Sequence, residues 1–435
     1  MRSARISWLI GGVWFVIGAP GIVWSDELST LREQVERLQQ EYQEHQQETQ
    51  ALRQRLDQQH QQIEQLTQHL QALQGAGQPP LGEASASVPQ AAAASLPKES
   101  SDLGPGIPKL VVRGFTDVTF SVEDDRNAPD RSNTFALGQH DLFITSELSD
   151  RVDFLSETVF EAGDDNETGL DLERLVLKYD FNDLLNVKIG RMHTPLGYWN
   201  TAYHHGTWLQ TTAFRPLMLR FEDDGGILPV HQVGLEVEGH LELSPVDLKY
   251  HAGISNGRAS SITTVQNVQD GNDAKALNAM VSFSPHAVPG LTFGVMSYLD
   301  RIPPNLTTSA RAGEINELIL GGYATYLYGN VELLGEFWHL RHQDQVSDNV
   351  FGTPAFYLQA AYRWEKWKPY YRFESIDYGA GDPFFQSTAV DVTAHTIGLR
   401  WDPLTWNAIK FEYGYQGQEG RADIQQVTLQ SAFTF

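Results

Sequence analysis

The chain has 435 residues, no cysteine and a formal net charge of −24 at pH 7. The lack of cysteine excludes disulfide and thiolate chemistry, and the acidic balance without a basic patch argues against nucleic acid as a partner. Aromatic residues are plentiful, with 10 Trp, 16 Tyr and 21 Phe. Transmembrane β-barrels place such residues in girdles at both membrane interfaces, although an acidic secreted β-protein could have the same composition.

The N-terminal residues have the pattern of a targeting signal. Arg2 and Arg5 precede an apolar run from Ile6 to Trp24, and the small residue Ser25 follows it. This order of charge, apolar run and small residue predicts a secretory signal peptide over residues 1–25. An uncleaved membrane anchor is the alternative, because the run is close to the length of about 20 residues that spans a bilayer.

Residues 26–74 carry a heptad seam. Between Leu28 and Leu73, apolar side chains recur at alternating spacings of three and four on a segment rich in Gln and Glu. A stripe this narrow is typical of a coiled coil rather than of a helix on a globular surface. We predict a self-associating periplasmic coil, with a parallel trimer favoured and the number of helices left open. Residues 75–108 are rich in Ala, Gly, Pro and Ser, which predicts a flexible linker.

From Lys109 to Phe435 the apolar residues follow a period of two. Leu175 and Leu177, for example, alternate with Arg174 and Lys178. Sixteen such segments begin near residues 110, 134, 151, 169, 184, 231, 246, 274, 290, 314, 331, 353, 368, 390, 407 and 422.

The connections between these segments alternate in length. Short periplasmic turns and long outer loops are typical of outer-membrane barrels, and closure removes the unpaired edges of a sheet. The pattern predicts an all-β fold over residues 109–435, a 16-stranded antiparallel transmembrane β-barrel preceded by the helical coiled coil. A soluble sandwich is the alternative, and it would need a second sheet to cover the first.

One long stretch inside this region does not have strand periodicity. It extends from Pro195 to Pro229 and connects the fifth and sixth segments. A structureless insert of this length in a compact domain is typical of a functional loop. We predict that residues 193–230 fold into the lumen as a constriction loop.

The charged faces of the strands predict a lumen wall of mixed sign. The residues expected to set constriction and selectivity are Lys188, Arg215, Arg220, Glu222, Asp223, Asp224, Arg363, Lys368, Arg372, Arg400 and Lys410. We hypothesise that the loop packs on the early strands and faces a basic arc on the late ones, so that a transverse field crosses the pore.

Four histidines lie near this loop, but their spacing matches no tight zinc motif. They are His193, His204, His205 and His231. We therefore predict no metal site, no other cofactor and no catalytic residue.

The residues Val187-Lys188-Ile189-Gly190-Arg191, followed by Thr194-Pro195-Leu196-Gly197, resemble the phosphate-selective porin O/P family, in which a strand ending in Gly leads through a Pro-Phe-Gly turn into the constriction loop. Leu196 stands where the family has Phe. The N-terminal coil is similar to that of the related trimeric dicarboxylate porins. The final strand, ending on Phe435, resembles the signal that the outer-membrane assembly machinery recognises.

The resemblance implies a homotrimeric channel in the outer membrane of a Gram-negative bacterium, in contact with lipid and lipopolysaccharide and favouring small anions. Our interpretation is a porin for passive diffusion of small hydrophilic solutes, not an enzyme. One alternative is a structural tether in which the coil contacts peptidoglycan and the barrel is an anchor. Another is an outer-membrane hydrolase, whose activity would depend on His204 or Asp223.

Overall fold

The computed structural model describes residues 109–127, 133–162, 167–203, 206–262, 269–305, 311–385 and 389–435. The predicted signal peptide, coiled coil and linker all fall within residues 1–108, outside the described residues. No helix in the described ranges is both long and apolar enough to cross a membrane.

The described residues form one antiparallel sheet that closes on itself. Its strands are β1 (Lys109–Asp125), β2 (Asn133–Leu137), β3 (His140–Ser149), β4 (Val152–Ala162), β5 (Thr168–Asn182), β6 (Leu185–His193), β7 (His231–Leu243), β8 (Val246–Ser255), β9 (Ala276–Pro285), β10 (Leu291–Ile302), β11 (Ile315–Tyr328), β12 (Val331–Asp344), β13 (Val350–Tyr362), β14 (Trp367–Ile376), β15 (Val392–Leu404), β16 (Asn407–Gln418) and β17 (Ile424–Thr434). From β3 onward each strand pairs with the next in chain order, and β1 pairs with β2, β3 and β17, which completes the ring.

The described strands amount to a sixteen-stranded barrel, because β2 and β3 are two halves of one barrel strand. Both halves pair with β1, β2 along residues 118–122 and β3 along residues 109–115. The predicted strand count is confirmed, and the insert at residues 194–230 does connect the fifth and sixth barrel strands, β6 and β7. The predicted alternation of short and long connections is also present.

Side chains alternate across the barrel wall as a bilayer requires. Leu175 and Leu177 are 44% and 43% exposed on the outer face, whereas Val176 between them is buried. The outer face of the ring is therefore apolar, and closure pairs the backbone groups that hydrocarbon could not satisfy. Exposed aromatic side chains gather near the short turns, among them Phe181, Tyr328, Tyr362, Trp364 and Trp406. This arrangement matches an interfacial girdle.

The inner face is charged on only part of the ring. Strands β9 to β13 also point apolar side chains inward, including Met296 on β10, Ile319 on β11 and Trp338 and Leu340 on β12, all buried in one hydrophobic cluster. The prediction of a charged inner face throughout is wrong for these strands. The physical reason is that a long loop covers them, so that their inner face is an interior rather than a wetted surface.

Candidate functional site

Two glycines, one within β6 and one just after it, lie near the start of the constriction loop. Gly190 has φ +135°, and a Cβ there would lie 1.9 Å from the carbonyl oxygen of Leu175. Gly197 has φ +86°, and a Cβ there would lie 2.1 Å from a carboxylate oxygen of Glu336. Non-glycine residues adopt such φ values rarely and at a cost. Gly190 thus permits the close approach of β6 to β5 within the sheet, and Gly197 permits the turn into the lumen after β6 has ended.

The loop is compact and closed at its neck. It contains the short helix α1 (Tyr198–Ala202) and two 3-10 turns, Leu217–Leu219 and Glu222–Asp224. At the neck, the backbone N–H of Thr194 donates to the carbonyl of Val230 over 2.9 Å. The two ends of the loop therefore lie next to each other where it leaves and rejoins the sheet.

Apolar packing fixes the first half of the loop against the late strands. Trp199 is fully buried, with its ring 5.8 Å from Tyr357 of β13 and 4.9 Å from Tyr203 of the loop. Leu196 and Met218 join the same cluster. Full burial of such apolar side chains contributes about 1.5–3 kcal/mol each.

Basic wall residues donate to carbonyl groups of the loop backbone. Arg400 donates to Trp208 O and Gln210 O over 2.9 and 2.8 Å. Arg372 donates to Phe214 O over 3.0 Å and to Arg215 O over 3.2 Å. Lys410 contacts Thr207 O and lies 2.9 Å from Thr212 O, and Lys368 donates to the Thr211 hydroxyl over 2.8 Å. We call these four residues the basic clamp.

Wall glutamates complement the clamp by accepting from loop N–H groups. These bonds join Trp199 N to Glu336 over 2.8 Å, Ala213 N to Glu412 over 2.8 Å and Leu217 N to Glu374 over 2.5 Å. A buried segment without regular structure must find partners for its backbone groups. Here the barrel wall supplies those partners with charged side chains, which form stronger hydrogen bonds than neutral ones.

The hypothesis that the loop packs on the early strands and faces a basic arc is wrong. The clamp residues that were to form the arc lie under the loop, bonded to it, on β14, β15 and β16. Arg372 is 2% and Lys410 is 0% exposed. Burial of a cation without partners is costly, so the loop carbonyls and the wall residues Glu332, Glu374 and Asp402 surround these charges.

The remaining predicted site residues are dispersed. Arg363 lies in the short turn after β13 and pairs with Asp402 over 2.8 Å. Arg215 and Arg220 lie in the loop, with the Arg215 guanidinium 4.6 Å from the centre of the Phe221 ring and Arg220 3.9 Å from Asp224. The Asp223 side chain lies outside the described part of the loop.

A second fastening, which the sequence did not reveal, centres on Arg258 in the connection after β8. Its guanidinium lies 2.7 Å from Glu317 of β11 and 2.9 Å from Glu222 of the loop. His342 of β12 lies 2.9 Å from the same Glu317 and 2.7 Å from Asp382. The network ties three long connections together at one place. The residues of this network are far apart in the sequence, and no local sequence pattern indicates that they meet.

Glu222 makes this fastening sensitive to pH. Burial raises the pKa of its carboxyl from 4.5 to about 7, although the charge of Arg258 opposes the shift. The folded state therefore binds this proton more tightly than the unfolded state. The folded state loses stability as the pH rises from 4.5 to 7, by about 3 kcal/mol in all.

We expect Glu222→Gln to raise the temperature at which the folded band converts to the unfolded band on gels at pH 8, and to leave it nearly unchanged at pH 5. The exposed Glu419→Gln is the matched control, since it removes the same charge. Equal pH dependence in the parent protein and in Glu222→Gln would contradict this prediction.

The opposite wall, on β4 to β8, carries ion pairs among its own side chains. Lys188 lies 3.2 Å from Glu236 and 2.6 Å from Glu238, and His251 lies 3.1 and 3.5 Å from the same two carboxylates. Among the described residues, Glu236, Glu238 and His251 form the one group whose ligand atoms are close enough to hold a metal ion. The ammonium of Lys188 already bonds both carboxylates, so the donor set does not fit a metal in this arrangement.

No family model and no curated protein matches this chain. Solved structures do match it. The anion-selective porin from Comamonas acidovorans has a TM-score of 0.53 and 11% identity, over 76% of this chain and 100% of that one. The fold is that of an outer-membrane porin.

Two further structures with this fold are similar to the chain at comparable distance. The outer-membrane channel DcaP of Acinetobacter baumannii has a TM-score of 0.53 and 12% identity, over 76% of this chain and 99% of that one. The trimer form of OmpT, an outer-membrane protein of Vibrio cholerae, has a TM-score of 0.51 and 13% identity, over 75% of this chain and 99% of that one. Identities this low establish a shared fold and do not establish a subfamily.

Proposed function

We propose that the protein is an outer-membrane porin, a passive diffusion channel for small hydrophilic solutes. The observation that carries the proposal is a closed barrel with an apolar outer face, whose inner wall on β4 to β8 keeps partly solvated charges such as Lys178, Lys188 and Glu238, with side chains 29%, 23% and 18% exposed. If side chains filled the whole lumen, these charged groups would be buried, as the clamp residues are beneath the loop. A barrel that served only as a membrane anchor would not need a hydrated inner wall.

The constriction loop sets the width of the channel in this proposal. The basic clamp holds the loop against one half of the lumen and leaves the other half to water. Arg215, Arg220 and the acidic Glu222, Asp223 and Asp224 belong to the loop itself, and Lys188 faces it from the open wall. The eleven residues named from the sequence thus have different positions. Four hold the loop, five lie within it, and Lys188 lies on the open wall beside the water-filled half of the lumen. Arg363 lies in a short turn at the end of the barrel.

The finer features of the assembly belong to the same proposal. We propose a homotrimer, supported by the trimeric form of one similar structure and by the heptad seam. Residues 1–25 would direct export, residues 26–74 would form the periplasmic coil and residues 75–108 would link the coil to the barrel. The motif around Gly190 and Gly197 supports a relation to the phosphate-selective porin O/P group, and Phe435 would present the assembly signal.

Reconstitution of the purified chain into liposomes tests this function. We expect folded protein, identified by a gel mobility that changes on boiling, to let small sugars enter and swell the vesicles, with rates that fall as the sugar grows. Boiled protein added in the same amount is the control. Folded protein that leaves the vesicles impermeable to every sugar would refute the proposal.

A further inference from the structure

The charges that line the open half of the lumen are predominantly negative. Residues that are directly opposite each other on neighbouring strands point to the same face of the sheet. Lys188 points into the lumen, so the register identifies the other inward side chains strand by strand from β3 to β8. On the described residues of β3 to β8, the inward acidic side chains are Asp141, Glu147, Asp153, Glu157, Glu161, Asp171, Asp180, Glu236, Glu238, Glu242 and Asp247. The inward basic ones are Arg174, Lys178, Lys188 and Lys249.

The basic charges of the other half are not available to a permeating ion. The side chains of Arg372 and Arg400 are 3% and 8% exposed, and each is paired with a wall carboxylate and bonded to loop carbonyls. An ion in the water path is separated from them by the loop. Their field is also reduced by the adjacent carboxylates of Glu374 and Asp402.

Three basic residues of the open wall are paired with carboxylates. Lys188 bridges Glu236 and Glu238, Lys178 lies 2.9 Å from Asp180, and Arg174 pairs with Glu157. Each of these three cations is thus matched by at least one carboxylate. The inward carboxylates, Asp153 among them, outnumber the inward cations and give this wall its net charge.

We infer that the water path runs along β3 to β8 and favours small cations over anions. This inference rests on the proposed channel function and makes the charge preference the opposite of the anion preference that the family resemblance implies. Rings of carboxylates select for cations because they raise the local concentration of positive ions and repel negative ones. The loop, by covering the basic wall, is what turns a mixed barrel into an acidic path.

The zero-current potential of the full chain in a planar bilayer, across a tenfold KCl gradient, tests the inference. We expect K⁺ to be favoured over Cl⁻. Glu238→Gln should lower the K⁺ to Cl⁻ permeability ratio about threefold and Lys188→Gln should raise it by a similar factor, as expected for one unit charge near an ion in water. If the former does not fold, Asp153→Asn replaces it with the same expected direction.

Asp348→Asn is the matched control. It removes one negative charge from the exposed turn between β12 and β13, at φ +59°, a conformation that Asn tolerates. It should leave the permeability ratio unchanged. Anion preference in the parent protein, or a ratio that neither lumen variant moves, would overturn the inference while the channel itself stands. Folded protein without any current would refute the channel function instead.

Discussion

Replacing Arg372 with Met should free the constriction loop and widen the pore. Arg372 bonds two loop carbonyls and the Thr212 hydroxyl, which lies 2.9 Å away, while it pairs with Glu374. Met approximates its length but donates nothing, so Glu374 is left buried without its cation. Removal of one partner from a buried ion pair costs about 3–5 kcal/mol.

We expect two readouts to change together. Single-channel conductance should rise and fluctuate more, and the temperature at which the folded band is lost on gels should fall. Arg301→Met is the matched control, because the Arg301 side chain is 54% exposed and lies 3.7 Å from Glu314, and exposed pairs contribute about 0–1 kcal/mol. Unchanged conductance and stability in Arg372→Met would show that the clamp does not hold the loop.

The double variant Arg372→Met with Glu374→Gln separates the two effects. It removes the stranded charge as well as the donor, so part of the lost stability should return. The loop would still lack its bonds to Arg372, and the conductance should stay high. Recovery of the parent conductance in the double variant would mean that the unpaired Glu374, and not the release of the loop, causes the higher conductance of Arg372→Met.

A second large effect is expected at Gly190. Gly190→Ala would place a methyl group 1.9 Å from the carbonyl oxygen of Leu175, at φ +135°. The clash is with backbone and cannot be relieved by a side-chain rotation, and the conformation itself disfavours Ala. We expect little or no folded barrel, measured as the loss of the band whose mobility changes on boiling.

Gly414→Ala is the matched control for this prediction. Gly414 lies within β16, and a Cβ there would meet no other atom within 4 Å. Its barrel should fold as the parent does. A normal yield of folded Gly190→Ala would mean that β5 and β6 can pair without a glycine at this close approach.

The barrel is predictable from the sequence because its signal is local. Alternation of side chains across a strand is fixed by backbone geometry, so residues such as Leu175, Leu177 and Lys178 reveal their faces without knowledge of their neighbours. The insert after β6 is recognisable in the same way, as the place where alternation stops. Strand starts therefore agree with the structure to within a few residues for most of the ring.

The partners of the inward residues are not predictable in this way. Arg400 and the carbonyl of Trp208 are 192 positions apart, and a basic residue on an inner face has the same pattern whether it meets water or a loop. One signal was present. Adjacent apolar pairs on β12, Leu333 with Leu334 and Phe337 with Trp338, interrupt the alternation, as in strands buried on both faces. They mark the part of the wall that the loop covers.

Current through a channel with a single introduced thiol tests the central claim most directly, because the natural chain has no cysteine. Thr145 faces the lumen from β3 and is partly exposed, whereas Ala355 faces inward from β13 and is 1% exposed beneath the loop. A charged, membrane-impermeant thiol reagent should reduce the current through Thr145→Cys and leave that through Ala355→Cys unchanged. Rapid block through Ala355→Cys, with Thr145→Cys unreactive, would place the water path on the other side of the barrel and contradict the account.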